Sequence, residues 1–121
     1  MPKTVLIVED NELNMKLFND LVETRGHRIV QTRSGIEAVE LARKHRPDLI
    51  LMDIQLPIID GYEATRRIKS NSDLRHIPII AVTSYALSGD EDKARAAGCD
   101  DFVPKPYSPR QLLAKIRELL L

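Results

Sequence analysis

The sequence predicts an α/β fold, a doubly wound sheet of five parallel strands in the order 2-1-3-4-5 with helices on both faces. Short runs rich in Val, Ile and Leu recur along the 121 residues, as is typical of strands that are buried on both faces. Longer stretches with helix-start signals separate these runs. Strands that alternate with helices form parallel sheets through right-handed crossovers, which leaves few possible topologies.

The five strands are predicted from their apolar residues and from the turn or helix signals that bound them. Each run is too short to be a helix of ordinary length, and most of the runs contain β-branched residues. The predicted strands span residues 5–8, 28–31, 49–52, 79–82 and 102–103.

Capping boxes mark the starts of the helices, because a side-chain oxygen there accepts a hydrogen bond from an N–H of the first turn. Such boxes begin at Ser34, Ser88 and Ser108, and a close relative begins at Asp60. A first helix is expected over residues 12–25. Helices are expected to end near Gly26, Pro47 and Gly98. The residues expected to face the sheet are Leu17, Phe18, Leu21 and Val22 in the first helix, and Leu112, Leu113, Ile116, Leu119 and Leu120 in the last.

Composition and charge narrow the classes of function. The chain has 18 basic and 18 acidic residues, so bulk charge gives no reason to expect nucleic acid or an anionic membrane as a partner. Cys99 is the single cysteine, which excludes an internal disulfide and suits a reducing compartment. No apolar stretch approaches the roughly 20 residues that span a bilayer. We therefore expect one stand-alone domain over residues 1–121, cytoplasmic and not inserted in a membrane.

Polar residues follow the predicted strands at the edge where ligands bind in doubly wound sheets. Glu9 and Asp10 end the first strand, Asp53 the third and Thr83 the fourth, and Lys105 follows the fifth. Two carboxylates about 4 Å apart repel by about 4 kcal/mol at an effective dielectric near 20, so such a cluster takes up protons or binds a cation. Oxygen ligands without Cys or His favour Mg²⁺ over zinc or copper. The arrangement indicates a phosphoryl site in which Asp53 is the nucleophile.

Other interpretations of these residues stay open at this point. Asp10 and Asn11 could simply cap the first helix. Thr83 could be an ordinary strand residue, and Lys105 could be a solvated lysine. A small Mg²⁺-dependent phosphatase with an aspartyl nucleophile is an enzymatic alternative, although such enzymes often place a second acid where Gln55 stands. A flavin- or nucleotide-binding module is another, although the acidic loop 9–13 has no glycine and would repel phosphate.

The ordered set of motifs resembles the receiver domain of two-component response regulators over the whole chain. The motifs are VLIVEDN at 5–11, LILMDIQLPIIDG at 49–61, IIAVTS at 79–84 and the dipeptide Lys105-Pro106. Their spacing matches as well, since Thr83 lies 30 residues and Lys105 lies 52 residues after Asp53. Segments 8–18 and 47–57 are similar to single-domain members that regulate cell division and polarity.

This resemblance implies a phospho-acceptor switch with slow self-dephosphorylation at most, rather than an enzyme. Asp53 would accept a phosphoryl group from a sensor histidine kinase or a phosphotransfer protein. Glu9, Asp10, Asp53 and the backbone carbonyl of Gln55 would hold Mg²⁺, with Mn²⁺ able to substitute. The output would be contact with a downstream protein, by a monomer or weak dimer that its partners recruit to the cell poles.

The resemblance also assigns switch and docking residues. Thr83 and Lys105 would contact the phosphoryl oxygens, and the Lys105–Pro106 bond would be cis. Phe102 occupies the position of the switch aromatic and would act together with Thr83. It could equally be a core phenylalanine. Leu13 and Met15 flank the site and are expected to form an apolar docking patch, although single exposed apolar residues are also normal.

Overall fold

The computed structural model describes residues 3–23, 26–83, 90–104 and 109–120. Strands and helices alternate throughout, and every predicted strand is present, longer than expected by one residue at one or both ends. In chain order the elements are β1 Thr4–Val8, α1 Glu12–Glu23, β2 Arg28–Thr32, α2 Gly35–His45, β3 Leu49–Asp53, α3 Gly61–Ser70, β4 Ile79–Thr83, α4 Asp90–Ala97, β5 Asp101–Pro104 and α5 Pro109–Leu120.

The strands form one parallel sheet in the order β2-β1-β3-β4-β5, which confirms the predicted fold class. Because β1 lies between β2 and β3, the chain reverses its winding direction at β1 and β3. In this topology the carboxyl ends of β1 and β3 form the switch point where ligands bind. The fold therefore directs attention to the residues that follow these two strands.

The sheet separates two apolar layers. Alternate strand residues such as Leu6 and Ile50 pack with small residues of α2, α3 and α4 on one face. The residues between them, such as Ile7 and Leu51, pack with α1 and α5 on the other face. Strands that are buried on both faces lose the alternation of polar and apolar residues, which explains their continuous apolar sequence.

Helix α1 differs from the predicted packing. Met15, Phe18 and Val22 face the core, whereas Leu17 is 41% exposed. Residues 15, 18 and 22 are spaced by three and four and therefore share one face of a helix. Leu17 lies two positions after Met15, on the far side. The expectation that Leu17 faces inward was therefore wrong.

Capping follows the predicted boxes where they lie within the described residues. The Ser34 hydroxyl accepts from the Glu37 N–H at 3.3 Å, and Asp60 accepts from the Glu63 N–H at 2.9 Å. The Glu63 carboxylate pairs with Arg67 and Arg66 of the same helix, and these hydrogen bonds lower its pKa.

Several predictions fall outside the described residues. They are the boxes at Ser88 and Ser108, the end of the first helix at Arg25, the phosphoryl contact of Lys105 and the cis Lys105–Pro106 bond. No helix within the described ranges combines the length and hydropathy that crossing a bilayer requires.

Candidate functional site

Two acidic side chains end adjacent strands inside the protein. Val8 pairs with Met52, so the next residues, Glu9 and Asp53, follow side by side at this edge of the sheet. Glu9 is 1% exposed and Asp53 is 4% exposed. Burial disfavours the ionised form of a carboxyl group unless charges or hydrogen bonds compensate. The switch point therefore holds two buried acidic groups side by side, an arrangement that a cation would stabilise.

Short turns hold both carboxylates. The Glu9 Oε2 atom accepts from the Asn11 N–H at 3.1 Å, and the Asp53 Oδ1 atom accepts from the Gln55 N–H at 3.2 Å. Asn11 also caps α1, since its Oδ1 atom accepts from the Asn14 N–H at 3.0 Å. The capping alternative that the sequence left open thus holds for Asn11. This cap fixes the chain just beyond the buried Glu9.

The neighbouring strands bring the backbone of Thr83 and of Pro104 to the same edge. Asp53 pairs with Val82, so the backbone of Thr83 continues one residue beyond this pair. Thr83 itself pairs with Pro104, the residue before Lys105. The Thr83 side chain and all of Lys105 lie outside the described part of the chain, so their place in the constellation stays a prediction.

The start of α3 packs directly against the backbone of the strand end. The Gly61 N–H donates to the Ile54 carbonyl at 2.9 Å. A Cβ atom added at Gly61 would lie 2.7 Å from the Ile54 Cα atom and 3.0 Å from the Asp53 carbonyl carbon, closer than atoms can approach. Only glycine permits this approach, so Gly61 fixes the backbone that carries the Asp53 side chain.

A second close contact connects α2 with loop 54–60, the segment between β3 and α3. A Cβ atom added at Gly35 would lie 3.0 Å from the Ile59 Cγ1 atom and 3.3 Å from the Ala64 Cβ atom. The first turn of α2 therefore rests on loop 54–60. Ile58 in this loop has a positive φ of 71° and is 88% exposed. The sequence reasoning missed Gly35 and Ile58. The available signal was the branched residue directly after Pro57, at a turn position that favours Gly or Asn.

The donor set suits a hard divalent cation. Two buried carboxylates at one strand edge supply the oxygen ligands that Mg²⁺ prefers, and Mg²⁺ usually completes its shell with water. Asp10 is exposed rather than buried with them. Within the described ranges, no group of three or more His, Cys, Asp or Glu side chains is gathered as a metal site. Metal binding by Glu9, Asp10, Asp53 and the Gln55 carbonyl therefore stays a prediction.

The predicted switch and docking residues have different surroundings. Phe102 is partly buried against the core layer of α2, α3 and α4, and its role in switching stays a prediction. Leu13 is 75% exposed, as a docking residue must be, although docking itself is untested. Met15 is only 8% exposed and belongs to the core between α1 and the sheet. It was wrongly expected in the docking patch, because it lies on the inward face of α1.

Both the sequence and the fold of this chain match known proteins. The sequence pattern of the response regulator receiver domain family matches residues 5–117. The chain belongs to this family. It is 55% identical over 120 residues to the polar-differentiation response regulator DivK of Brucella anthropi, covering 99% of this chain and 98% of that protein. The resemblance to single-domain regulators of polarity is thereby confirmed.

Two solved structures show what related receivers hold. The receiver domain of the sensor histidine kinase PA1611 from Pseudomonas aeruginosa, with magnesium coordinated in its active-site cleft, has a TM-score of 0.91 and 37% identity. The match covers 99% of this chain and 98% of that one. The phosphorylated cyanobacterial phytochrome response regulator RcpA has a TM-score of 0.85 and 28% identity, with 98% of this chain and 91% of that one covered.

Proposed function

We propose that this receiver domain is a stand-alone switch that carries a phosphoryl group on Asp53 and signals through protein contacts. The observation that carries the proposal is the burial of Asp53 beside Glu9 at the switch point of the sheet. The near-complete coverage of both chains in the match to the Brucella regulator supports the stand-alone arrangement. That regulator's role in polar differentiation supports a role for this chain in cell division and polarity.

The proposed reaction is a phosphoryl transfer to an aspartate. An Asp53 oxygen attacks phosphorus while the bond from phosphorus to the donor's histidine nitrogen, or to the oxygen of a small acyl phosphate, breaks. The leaving group keeps the bonding electron pair. The turn at Gln55 and the contact of Gly61 with the strand end hold the Asp53 backbone, so the carboxylate is oriented before the donor arrives.

A divalent cation fits the acidic residues at this edge. Glu9, Asp10, Asp53 and the backbone carbonyl of Gln55 would hold Mg²⁺, and Mn²⁺ would substitute. When bound, the cation offsets the negative charge of the phosphoryl oxygens and of the carboxylates. The metal in the related PA1611 receiver supports this part of the proposal.

The output is proposed to begin at Thr83 and Lys105, which would contact the phosphoryl oxygens. Movement of Thr83 would change the space beside Phe102, which already packs partly against the core beneath α4. A phosphoryl group shifts this equilibrium only as far as it binds one state better. The altered surface would then bind a downstream protein, and partners would recruit the chain to the cell poles.

A direct experiment tests the proposal. The chain is incubated with Mg²⁺ and acetyl phosphate, and intact-mass spectrometry follows the gain of one phosphoryl group. Asp53→Asn should abolish the gain, whereas Asp73→Asn, which changes an exposed acid, should leave it intact. Fast turnover of many phosphoesters without a retained group would favour the phosphatase. A co-purified light-absorbing ligand would favour a flavin or nucleotide module.

A further inference from the structure

The loop between Asp53 and α3 holds an exposed branched side chain in an unfavourable backbone conformation. Ile58 has a φ of 71° and is 88% exposed. A branched Cβ makes the left-handed region costly, whereas Gly, Asn and Asp enter it readily. Among the described residues, the one other non-glycine with positive φ is Arg46, the C-cap of α2, at 47°.

Hydrogen bonds at both ends of the loop impose this conformation. The Ile54 carbonyl accepts from the Leu56 N–H at 3.1 Å and from the Gly61 N–H at 2.9 Å, which closes the loop on the strand end. Ile59 is held against Gly35, and Asp60 caps α3. The loop thus requires a left-handed residue at position 58, and an asparagine would meet the requirement more easily than isoleucine.

The Ile58 side chain contributes little to the core of the free protein, because most of it is in solvent. Backbone strain of this kind clusters at functional sites, where a binding partner gives it a use. Asp53, five residues earlier, is only 4% exposed. A phosphoryl group attached to another protein can therefore reach Asp53 only if that protein's surface rests on the surrounding loops, of which loop 54–60 is one.

We propose that Ile58 is an apolar anchor for the protein that carries the phosphohistidine, and that it contributes to the choice of donor. The inference rests on the proposed phosphorylation of Asp53. Truncating a buried interface anchor commonly weakens binding by tenfold or more. A small donor such as acetyl phosphate makes no contact with the rim. Ile58 should therefore matter for a protein donor and not for the small one.

The test compares the two kinds of donor on the same variants. Histidine kinases from the source organism are autophosphorylated with ATP, and phosphotransfer domains receive their phosphoryl group from such a kinase. The phosphorylated proteins that transfer to the wild-type chain serve as probes. Ile58→Asn removes the apolar side chain and tolerates positive φ, whereas Ile58→Leu keeps apolar volume. Arg46→Gly relieves the same kind of strain at the end of α2, on the opposite edge of the sheet.

We expect Ile58→Asn to slow transfer from the protein donor about tenfold, to leave the acetyl phosphate rate unchanged and to raise the melting temperature by about 4 °C. Ile58→Leu and Arg46→Gly should transfer at close to the wild-type rate. Wild-type transfer to Ile58→Asn, or an equal loss with acetyl phosphate, would overturn the inference. It also falls if acetyl phosphate labels the wild-type chain but no phosphohistidine protein does. A wild-type chain inert to both donors would instead refute the proposed function itself.

Discussion

Replacing Gly61 with alanine tests whether the contact between α3 and the strand end positions Asp53. The new Cβ atom would lie 2.7 Å from the Ile54 Cα atom and even closer to the Asp53 carbonyl oxygen. Carbon atoms in contact are normally about 3.5–4.0 Å apart. Both neighbours are backbone atoms and cannot rotate away, so α3 or the end of β3 must move by close to 1 Å.

Such a displacement has two separable effects. Overpacking a close contact costs about 1–3 kcal/mol, and in a chain of this size 2 kcal/mol lowers the melting temperature by about 8 °C. A misplacement of about 1 Å in a catalytic geometry slows a reaction up to about 100-fold. We therefore expect Gly61→Ala to accept a phosphoryl group from acetyl phosphate at least ten times more slowly than wild type.

Gly26→Ala is the matched control. Gly26 has a φ of 77°, and a Cβ atom added there would meet nothing within 4 Å. Alanine in the left-handed region costs about 1–2 kcal/mol, so this variant should lose stability without losing phosphorylation. Thermal unfolding and intact-mass kinetics measure the two effects separately. If Gly61→Ala is phosphorylated at the wild-type rate, or if Gly26→Ala slows as much, the positioning argument is wrong.

Three further predictions concern other parts of the molecule. The Lys69 side chain is 16% exposed, and its ammonium group donates to the Ile77 carbonyl and to Asp100, both at 2.8 Å. Lys69→Met should therefore cost about 2–3 kcal/mol in urea unfolding, because these acceptors lose a charged donor; an unchanged midpoint would contradict this. Burial raises the pKa of the Cys99 thiol. The stability that the buried thiol contributes is therefore present below the ordinary thiol pKa and is lost as the pH rises above that value. Cys99→Ala should reduce this loss of stability in unfolding experiments between neutral and alkaline pH. Lys105→Ala should still be phosphorylated but lose phosphorylation-dependent partner binding in pull-down experiments, and retained dependence would refute its coupling role.

The sheet could be predicted from the sequence because its strands are buried on both faces. A short continuous apolar run such as residues 49–52, which lead to Asp53, is typical of a strand that is covered on both faces. The inward face of α1 was harder to predict. Met15 and Leu17 are both apolar, and helical spacing alone allows either to face the sheet. The docking of α1 on β1 and β2 decides between them, which is a property of the whole fold.

The site was predictable as far as it depends on strand register. Glu9 and Asp53 follow residues that pair in the sheet, so parallel order is enough to bring them together. The exposure of Asp10 and the left-handed Ile58 depend on turn geometry instead. For Ile58 that geometry is set by the separation between the end of β3 and the start of α3, which residues 54–60 indicate only through the branched residue after Pro57.

The contact of Gly35 with Ile59 connects the first turn of α2 with loop 54–60, which follows the proposed phosphorylation site. Any added volume at this glycine, or a ligand that tilts the helix there, would push on the segment that also contains Ile58. Substitutions 18 residues before Asp53 in the chain would thus change the rate of the proposed phosphorylation while leaving every acidic residue in place. For engineering, that first helical turn offers a way to adjust signalling without touching the chemistry.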